Sequence, residues 1–219
     1  MLASQLINSS FPAVNLFDRV SLALQLMDEY DVFHLPVLSE EKFAGIISKE
    51  DLLDADETSL LASVESALLT VSVKGEEYFL SALKLLAENE LSLLPVINEQ
   101  SELTGVISSR DLIRRVSVYM GNEDRGGIIV LEIDKRNFSF GEISRLVETN
   151  DAYITQLNTH TETDTGLVVV TIKVNKIEIS DIVATFQRYE YIVRYYFGEE
   201  SYANELKENY NHLISYLNM

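Results

Sequence analysis

LPVLSEEKFAGIISKEDLL, residues 35–53, returns further along the chain as LPVINEQSELTGVISSRDLI, residues 94–113. The second copy is longer by a single residue, which falls in the polar segment between two apolar runs. Because these runs are nearly uninterrupted, each predicted strand should be covered on both faces. A single copy has too few residues to provide that cover. The repeat therefore predicts two similar units that pack against each other.

The two copies share one order of hydrophobic patterns. Apolar residues at helical spacing come first, at residues 22–27 in one copy and 82–87 in the other. Two short apolar runs follow, separated by a polar turn, and a second helix is expected to start at Ser48 or Ser108. Each copy is thus predicted to fold as helix, strand, turn, strand and helix.

The end of each copy carries the pattern Gly, two apolar residues, Ser, two further residues and Asp, starting at Gly45 and at Gly105. With the duplication, this pattern resembles the CBS domain, whose tandem pair is called a Bateman module. The resemblance covers one repeat at about residues 11–55 and another at about 70–117. It implies that the repeats join through their sheets and bind adenosine-containing molecules in the clefts between them. The candidate ligands are AMP, ADP, ATP, NAD and S-adenosylmethionine, and no cofactor is required.

The resemblance also assigns roles to individual residues. The ribose hydroxyls are assigned to the aspartates of the repeated pattern, and the phosphate to its serines and basic residues: Asp51 and Asp111; Ser48, Ser108, Lys49 and Arg110. The other pocket positions are Gly45, Gly105 and Ser72, and the glycines would let the backbone approach the ligand. The chemistry is suitable, because a carboxylate accepts two hydrogen bonds from a vicinal diol. A serine hydroxyl beside the free N–H groups of a helix start suits an anion.

The same residues have a second interpretation that involves no ligand. A serine followed three residues later by an acidic residue is also typical of a helix N-terminus. In that interpretation Ser48 caps its own helix, and Asp51 lies in the first turn, where a negative charge is favourable. The sequence leaves both interpretations open.

Composition limits the partners of the protein. The 219 residues include 35 acidic and 17 basic side chains, which gives a formal net charge of −18. A polyanion such as DNA or RNA would be repelled, so no nucleic acid partner is expected. The chain has neither an apolar run of about eighteen residues nor a secretory signal pattern, so no membrane partner is expected. Cysteine is absent, and a cytoplasmic location is the expectation.

The sequence contains no recognisable catalytic motif. His34, His160 and His212 are scattered and form no H-E-x-x-H pattern. Neither a phosphate-binding glycine loop nor a G-x-S-x-G pattern is present. We therefore expect a protein that is not an enzyme.

A different pattern begins after residues 121–127, where three glycines among charged residues predict a linker. Residues 1–120 are assigned to the CBS pair and residues 128–219 to a second domain. Strand and helix periodicities in the second domain follow the order β-α-β-β-α-β, at residues 128–133, 140–150, 152–160, 167–174, 177–189 and 191–197. This order predicts a ferredoxin-like sheet, so the chain is assigned to the α+β class.

The second domain resembles the ACT domain through this order of elements, over about residues 127–198. That family is associated with amino-acid sensing and with pairing side by side. ACT domains that bind amino acids usually have a glycine in the turn after the first strand, whereas this turn runs from Asp134 to Phe138. Because a phenylalanine there would block a close approach of the backbone to a ligand, a structural or dimerising role is preferred. A final helix is predicted at about residues 201–217, with an apolar stripe made of Tyr202, Leu206, Tyr210, Leu213, Ile214 and Leu217.

A CBS pair followed by an ACT-like domain resembles bacterial proteins of the acetoin-utilisation type. We expect a non-catalytic regulatory protein that senses an adenosine-containing nucleotide in the cleft between its CBS repeats and acts on a protein that the sequence does not identify. Both resemblances imply a homodimer. The alternative is an interaction or dimerisation scaffold without a ligand, in which the serines and aspartates only cap helices.

Overall fold

The computed structural model of the protein describes residues 1–198. They divide into two compact units, of which the first ends at Val116 and the second begins at Ser117. The helix expected at residues 201–217 lies outside the described residues. Within the described residues, no helix is long and apolar enough to cross a membrane.

Each sequence repeat forms a small sheet flanked by helices. The elements of the first repeat are β1 (Val14–Asn15), α1 (Val20–Glu29), β2 (His34–Ser39), β3 (Lys42–Ser48) and α2 (Lys49–Leu53). Those of the second are β4 (Val73–Lys74), α3 (Phe79–Glu88), β5 (Leu93–Ile97), β6 (Leu103–Ser108) and α4 (Ser109–Tyr119). Two 3-10 helices, Ala3–Leu6 and Leu61–Ala67, precede the first and second repeat. The predicted order of helix, strand, strand and helix is confirmed in both copies.

The two sheets share their register as well as their order. β2 pairs antiparallel with β3, as β5 does with β6, while β1 and β4 add parallel edge strands. Gly45 lies opposite Val37, and Gly105 lies opposite Val96. Each pairing shifts register directly after that valine. An irregularity at the same place in both copies indicates that the duplication extends to the backbone geometry.

The two repeats bury their apolar faces jointly. Leu93 and Val106 of the second repeat belong to the core of the first, and Ile46 of the first repeat belongs to the core of the second. None of these three side chains is more than 1% exposed. The backbones also meet, because the N–H of Phe43 donates to the carbonyl of Ser101 at 2.9 Å. Neither core is complete within one repeat, which confirms the expectation that the copies pack on each other.

The segments that precede the two repeats are exchanged between them. Asn8, ahead of the first repeat, forms a bridge with Val106 in β6 of the second. Leu69, ahead of the second repeat, forms a bridge with Ile46 in β3 of the first. Each bridge consists of two backbone hydrogen bonds, of 2.8 and 3.2 Å in the first case and 2.9 Å each in the second. The N-terminal segment around Asn8 is therefore part of the second repeat's packing.

His34 is held at the junction of the repeats. Its Nδ1 accepts a hydrogen bond from the backbone N–H of Ser92 at 3.1 Å, and the Ser92 hydroxyl also accepts from the N–H of Phe33 at 3.1 Å. An Nδ1 that accepts from a peptide N–H carries no proton, so the ring is neutral in this geometry. Burial lowers the pKa of His34, and the charge of Asp51 opposes that shift only in part.

We expect His34 to make the fold less stable in mild acid. Because its pKa is lower in the folded state, the unfolded chain takes up the proton first as the pH falls through about 6.5. The free energy of unfolding should therefore fall more steeply between about pH 7 and pH 5.5 in the wild type than in a His34→Leu variant, as urea titrations would measure. Leucine is the matched choice, because Leu93 takes the same strand position in the second repeat. Equal slopes for the two proteins would contradict this role.

The second unit is a four-stranded antiparallel sheet with two helices. Its elements are β7 (Ile128–Ile133), α5 (Phe140–Glu148), β8 (Ile154–Thr161), β9 (Val168–Val174), α6 (Ser180–Arg188) and β10 (Ile192–Phe197). The strand order is β10-β7-β9-β8, which is the ferredoxin-like arrangement. Apolar residues of both helices pack with alternate residues of β7 and β9 in one core. The predicted α+β class is confirmed.

Residues at the end of the predicted linker are attached to this sheet. The N–H of Gly127 donates to the carbonyl of Lys176 at 2.6 Å, and the N–H of Val174 donates to the carbonyl of Gly127 at 2.9 Å. A Cβ atom on Gly126 would meet the carbonyl oxygen of Val174. These glycines therefore permit close packing beside β9, and the domain boundaries stay a prediction.

Candidate functional site

Both repeated Ser and Asp pairs lie at a helix start and form the same local hydrogen bonds. The N–H of Asp51 donates to Ser48 Oγ at 3.1 Å, and that hydroxyl donates to Asp51 Oδ2 at 2.5 Å. In the second repeat the corresponding distances between Asp111 and Ser108 are 3.0 and 2.8 Å. The capping geometry is thus present in both copies. It uses one carboxylate oxygen of each aspartate and leaves Oδ1 with no hydrogen-bond partner among the described residues.

A cavity of about 470 Å³ lies between the two repeats beside the second of these helix starts. The lining comes from both repeats and from the segment that precedes the first: Asn8, Phe11, Tyr30, Asp31, Val32, Phe33, Ser92, Ser108, Ser109, Arg110 and Asp111. We call it the inter-repeat cavity. Its size is within the range of small-molecule sites in proteins.

One part of the inter-repeat cavity is aromatic. The rings of Phe11 and Tyr30 meet edge to face with their centroids 5.1 Å apart. Phe33 also lines the cavity and is 64% exposed, which is unusual for a phenylalanine and leaves its ring available for contact. Flat aromatic side chains of this kind stack on nucleobases, with about 1–3 kcal/mol per base.

The other part is polar and charged. Asp111 is half-buried, whereas its counterpart Asp51 in the first repeat is exposed. The guanidinium of Arg110 pairs with Asp31 Oδ2 at 3.0 Å across the two repeats. At the position of Arg110, the first repeat has Glu50. The second motif therefore has the more favourable charges for a ligand with a ribose and a phosphate.

The structure brings together only part of the set of residues assigned from the sequence. Ser108, Arg110 and Asp111 line the inter-repeat cavity. Ser48 and Asp51 lie together at the start of α2 and do not line it, and Lys49 is paired with Asp28 Oδ1 at 2.5 Å.

Three of the positions assigned to the pocket do not line the inter-repeat cavity. A Cβ atom on Gly45 would lie 2.8 Å from the Cβ of Leu68, and one on Gly105 would lie 2.8 Å from the carbonyl oxygen of Asn8. Both glycines thus make room for the exchanged chain segments, and neither lines the inter-repeat cavity. Ser72 does not line it either, because the segment before the second repeat runs beside β3 of the first.

The sequence interpretation also missed the residues that complete the cavity. Asn8 and Phe11 come from the segment that occupies the place expected for Ser72, and Tyr30 and Phe33 follow the end of α1. The sequence contains a local signal, because two aromatic residues stand on either side of Asp31 and Val32 directly after the first helix. The exchange of segments had no comparable signal in the sequence.

The ferredoxin-like unit has a cavity of its own, of about 500 Å³, at the turn between β7 and α5. Four carboxylates and no basic side chain occur in its lining, which consists of Glu132, Ile133, Asp134, Asn137, Glu142, Leu167, Tyr189, Glu190, Tyr191 and Ile192. Phe138 packs against the core and does not line this cavity. It therefore does not block the cavity, contrary to the expectation from the sequence. The carboxylate of an amino acid would be repelled here.

Tyr191 lines this second cavity beside one of its carboxylates. Its hydroxyl donates to Glu142 Oε2 at 3.0 Å. Burial, followed by the hydrogen bond to Glu142, raises the pKa of Tyr191 to about 12.

Within the described residues, no group of three or more His, Asp or Glu side chains is arranged to hold a metal ion.

Comparison with known proteins agrees with the geometry of the first unit. Residues 3–58 and 70–118 match the CBS domain family. Inosine-5'-monophosphate dehydrogenase from Korarchaeum cryptofilum is 31% identical over 110 residues, which are 50% of this chain and 23% of that enzyme. The chain thus spans about a quarter of the length of this curated relative.

Two solved structures are also similar. A CBS domain pair/ACT domain protein from Thermotoga maritima is 28% identical, and the similarity covers 55% of this chain and 99% of that one, with a TM-score of 0.50. A protein from Vibrio cholerae named for acetoin utilization is 19% identical, with 57% and 98% of the chains covered and a TM-score of 0.49.

Repeated sheets, a joint core and the matched family together define a tandem pair of CBS domains. Its two repeats are matched over residues 3–58 and 70–118. The Thermotoga protein combines a CBS pair with an ACT domain, which supports the predicted combination of a CBS pair and a ferredoxin-like domain.

Proposed function

We propose that the inter-repeat cavity binds an adenosine-containing nucleotide and that the protein is a regulator without catalytic activity. The observation that carries this proposal is the position of Asp111, a half-buried carboxylate at a helix start that faces a cavity with aromatic walls. CBS pairs commonly bind such nucleotides, and the described residues provide the chemistry for the base, the ribose and the phosphate.

Each part of the ligand has a suitable partner. Phe11, Tyr30 and Phe33 offer aromatic surface to adenine. Asp111 Oδ1 has no partner among the described residues and can accept from the ribose hydroxyls. The guanidinium of Arg110 suits a phosphate. A carboxylate hydrogen bond of this kind contributes about 1.5–3 kcal/mol.

A cavity shared by two repeats offers a physical route to regulation. Residues on both sides, such as Tyr30 and Ser109, would contact one ligand. A nucleotide that fits one relative arrangement of the repeats better than another shifts the population toward that arrangement. The change would then reach a partner protein of the CBS pair or of the ferredoxin-like domain. We also propose that this activity takes place in the cytoplasm.

The second candidate is a scaffold that binds no nucleotide and acts as a homodimer. It is favoured by the capping bonds of Ser48 and Ser108, which explain both motifs without a ligand. The exposed apolar residues of the edge strand β10, among them Ile192 and Phe197, suit a pairing surface of the ferredoxin-like domain.

Thermal melting with AMP, ADP, ATP, NAD and S-adenosylmethionine separates the two candidates. A ligand present at 100 times its dissociation constant should add about 2.7 kcal/mol to the stability of the folded state. An Asp111→Ala variant should lose this effect, with at least about a tenfold weaker affinity by calorimetry, because the ribose hydroxyls lose their acceptor.

Asp51→Ala is the matched control, since it removes the same capping carboxylate from the first repeat. It should leave nucleotide binding within about twofold, because Asp51 does not line the inter-repeat cavity. Loss of binding in Asp51→Ala but not in Asp111→Ala would move the site to the first motif. A wild-type protein that responds to none of the five ligands would favour the scaffold.

A further inference from the structure

The basic residue of the inter-repeat cavity is already paired with an acidic one. Arg110 from α4 reaches Asp31 Oδ2 at 3.0 Å, and both residues line the cavity. They are 79 positions apart, so the pair joins the second repeat to the end of the first helix of the first repeat. A phosphate that approaches Arg110 meets the carboxylate of Asp31 as well.

The charges of the lining do not favour a polyphosphate. Asp31 and Asp111 contribute two negative charges, and Arg110 contributes the one positive charge among the lining residues. Each phosphate added to a nucleotide brings at least one further negative charge. A ligand with several phosphates therefore gains one cation contact and meets two carboxylates in the lining.

The backbone holds Asp31 in place. The residue follows the C-terminal cap of α1 and has a φ of 53°, in the left-handed region that ends many helices. Its position relative to the cavity is thus fixed by the end of the helix. Asparagine adopts this conformation readily, so Asp31→Asn should preserve the backbone and remove only the charge.

We propose that Asp31 sets the ligand class of the cavity, by restricting it to adenosine compounds with no more than one phosphate. This rests on the proposed function of the same cavity. Adenosine, AMP and the sulfonium compound S-adenosylmethionine meet the requirement, whereas ATP does not. Asp31 acts as a specificity-determining residue, because its negative charge lies beside the guanidinium that a phosphate chain would need.

Calorimetric titration with adenosine, AMP and ATP, without magnesium, tests the proposal. In the wild type, affinity should not rise from AMP to ATP. Asp31→Asn should strengthen ATP binding by about three- to tenfold, as expected for freeing an exposed guanidinium and removing a nearby repulsive charge. Adenosine affinity should change by less than about twofold, since adenosine carries no charge for Asp31 to repel.

Asp28→Asn is the matched control. It removes an equal charge one turn earlier in α1, but Asp28 pairs with Lys49 and does not line the cavity. The ratio of ATP to adenosine affinity should therefore stay unchanged in this variant. A wild type that binds ATP most tightly, or an Asp31→Asn variant with the wild-type ratio, would overturn the assignment of Asp31 and leave nucleotide binding intact. If none of the three compounds binds to the wild type, the assignment of Asp31 fails, and the proposed function fails with it unless NAD or S-adenosylmethionine binds.

Discussion

Replacing Gly105 by alanine is expected to destabilise the CBS pair by about 3 kcal/mol, as a combination of backbone strain and steric conflict. The glycine has a φ of +146°, which side-chain-bearing residues rarely adopt. A Cβ atom would also lie 2.8 Å from the carbonyl oxygen of Asn8 and against the side chain of Ile7. Relief would require moving the exchanged N-terminal segment away from β6. Denaturant titration would measure the change as a lower midpoint.

Gly141→Ala is the control for this prediction. Gly141 lies in α5, and a Cβ atom there has nothing within 4 Å. Alanine in a helix is preferred over glycine by up to about 1 kcal/mol, so this variant should be neutral or more stable. If the two variants had the same midpoint, the close contact between β6 and the N-terminal segment would not contribute to stability.

Leu93→Ala is expected to lower the free energy of unfolding by about 2–5 kcal/mol, as large-to-small changes in a closed core do. The change should destabilise both repeats. Leu93 belongs to β5 of the second repeat and has no exposed surface, yet its side chain lies in the core of the first repeat. Hydrogen exchange should therefore become faster in β2 and β3 as well as in β5.

Leu53→Ala provides the comparison for the core variant. Leu53 lies in α2 and is 67% exposed, so its truncation should change the free energy of unfolding by less than about 1 kcal/mol. A Leu93→Ala protein in which only the second repeat exchanges faster would contradict the joint core. Such a result would mean that the repeats open independently of each other.

The sequence was sufficient for the order of elements but not for the path of the segments between them. The duplicated stretch predicted both strand pairs, and the switch of periodicity after residue 127 predicted the ferredoxin-like order. Helical and strand periods are local properties, so they can be recognised without knowledge of the neighbours. β1 and β4 have two residues each, which is too short to show a period.

The candidate site was predictable in one half only. The repeated motif pointed to Asp111 and Arg110 because both belong to a stretch of four consecutive residues that can be recognised in the sequence itself. Asp31 and Phe33 reach the same cavity from a point about 80 residues earlier in the chain, through the packing of one repeat on the other. Gly105 was assigned to a ligand because the sequence does not show that Asn8 lies against it. Long-range neighbours of this kind follow from tertiary packing alone.

The exchange of the segments around Asn8 and Leu69 has a consequence for dissection of the molecule. Cutting the chain near residue 60 would give two pieces that each lack a stretch of their own interior, since Ala3 and Leu6 pack with Phe79. Neither piece would have a complete core by itself. Mixed together, the fragments retain complementary surfaces, and the pair would behave as a split protein whose reassembly reports on contact between its halves.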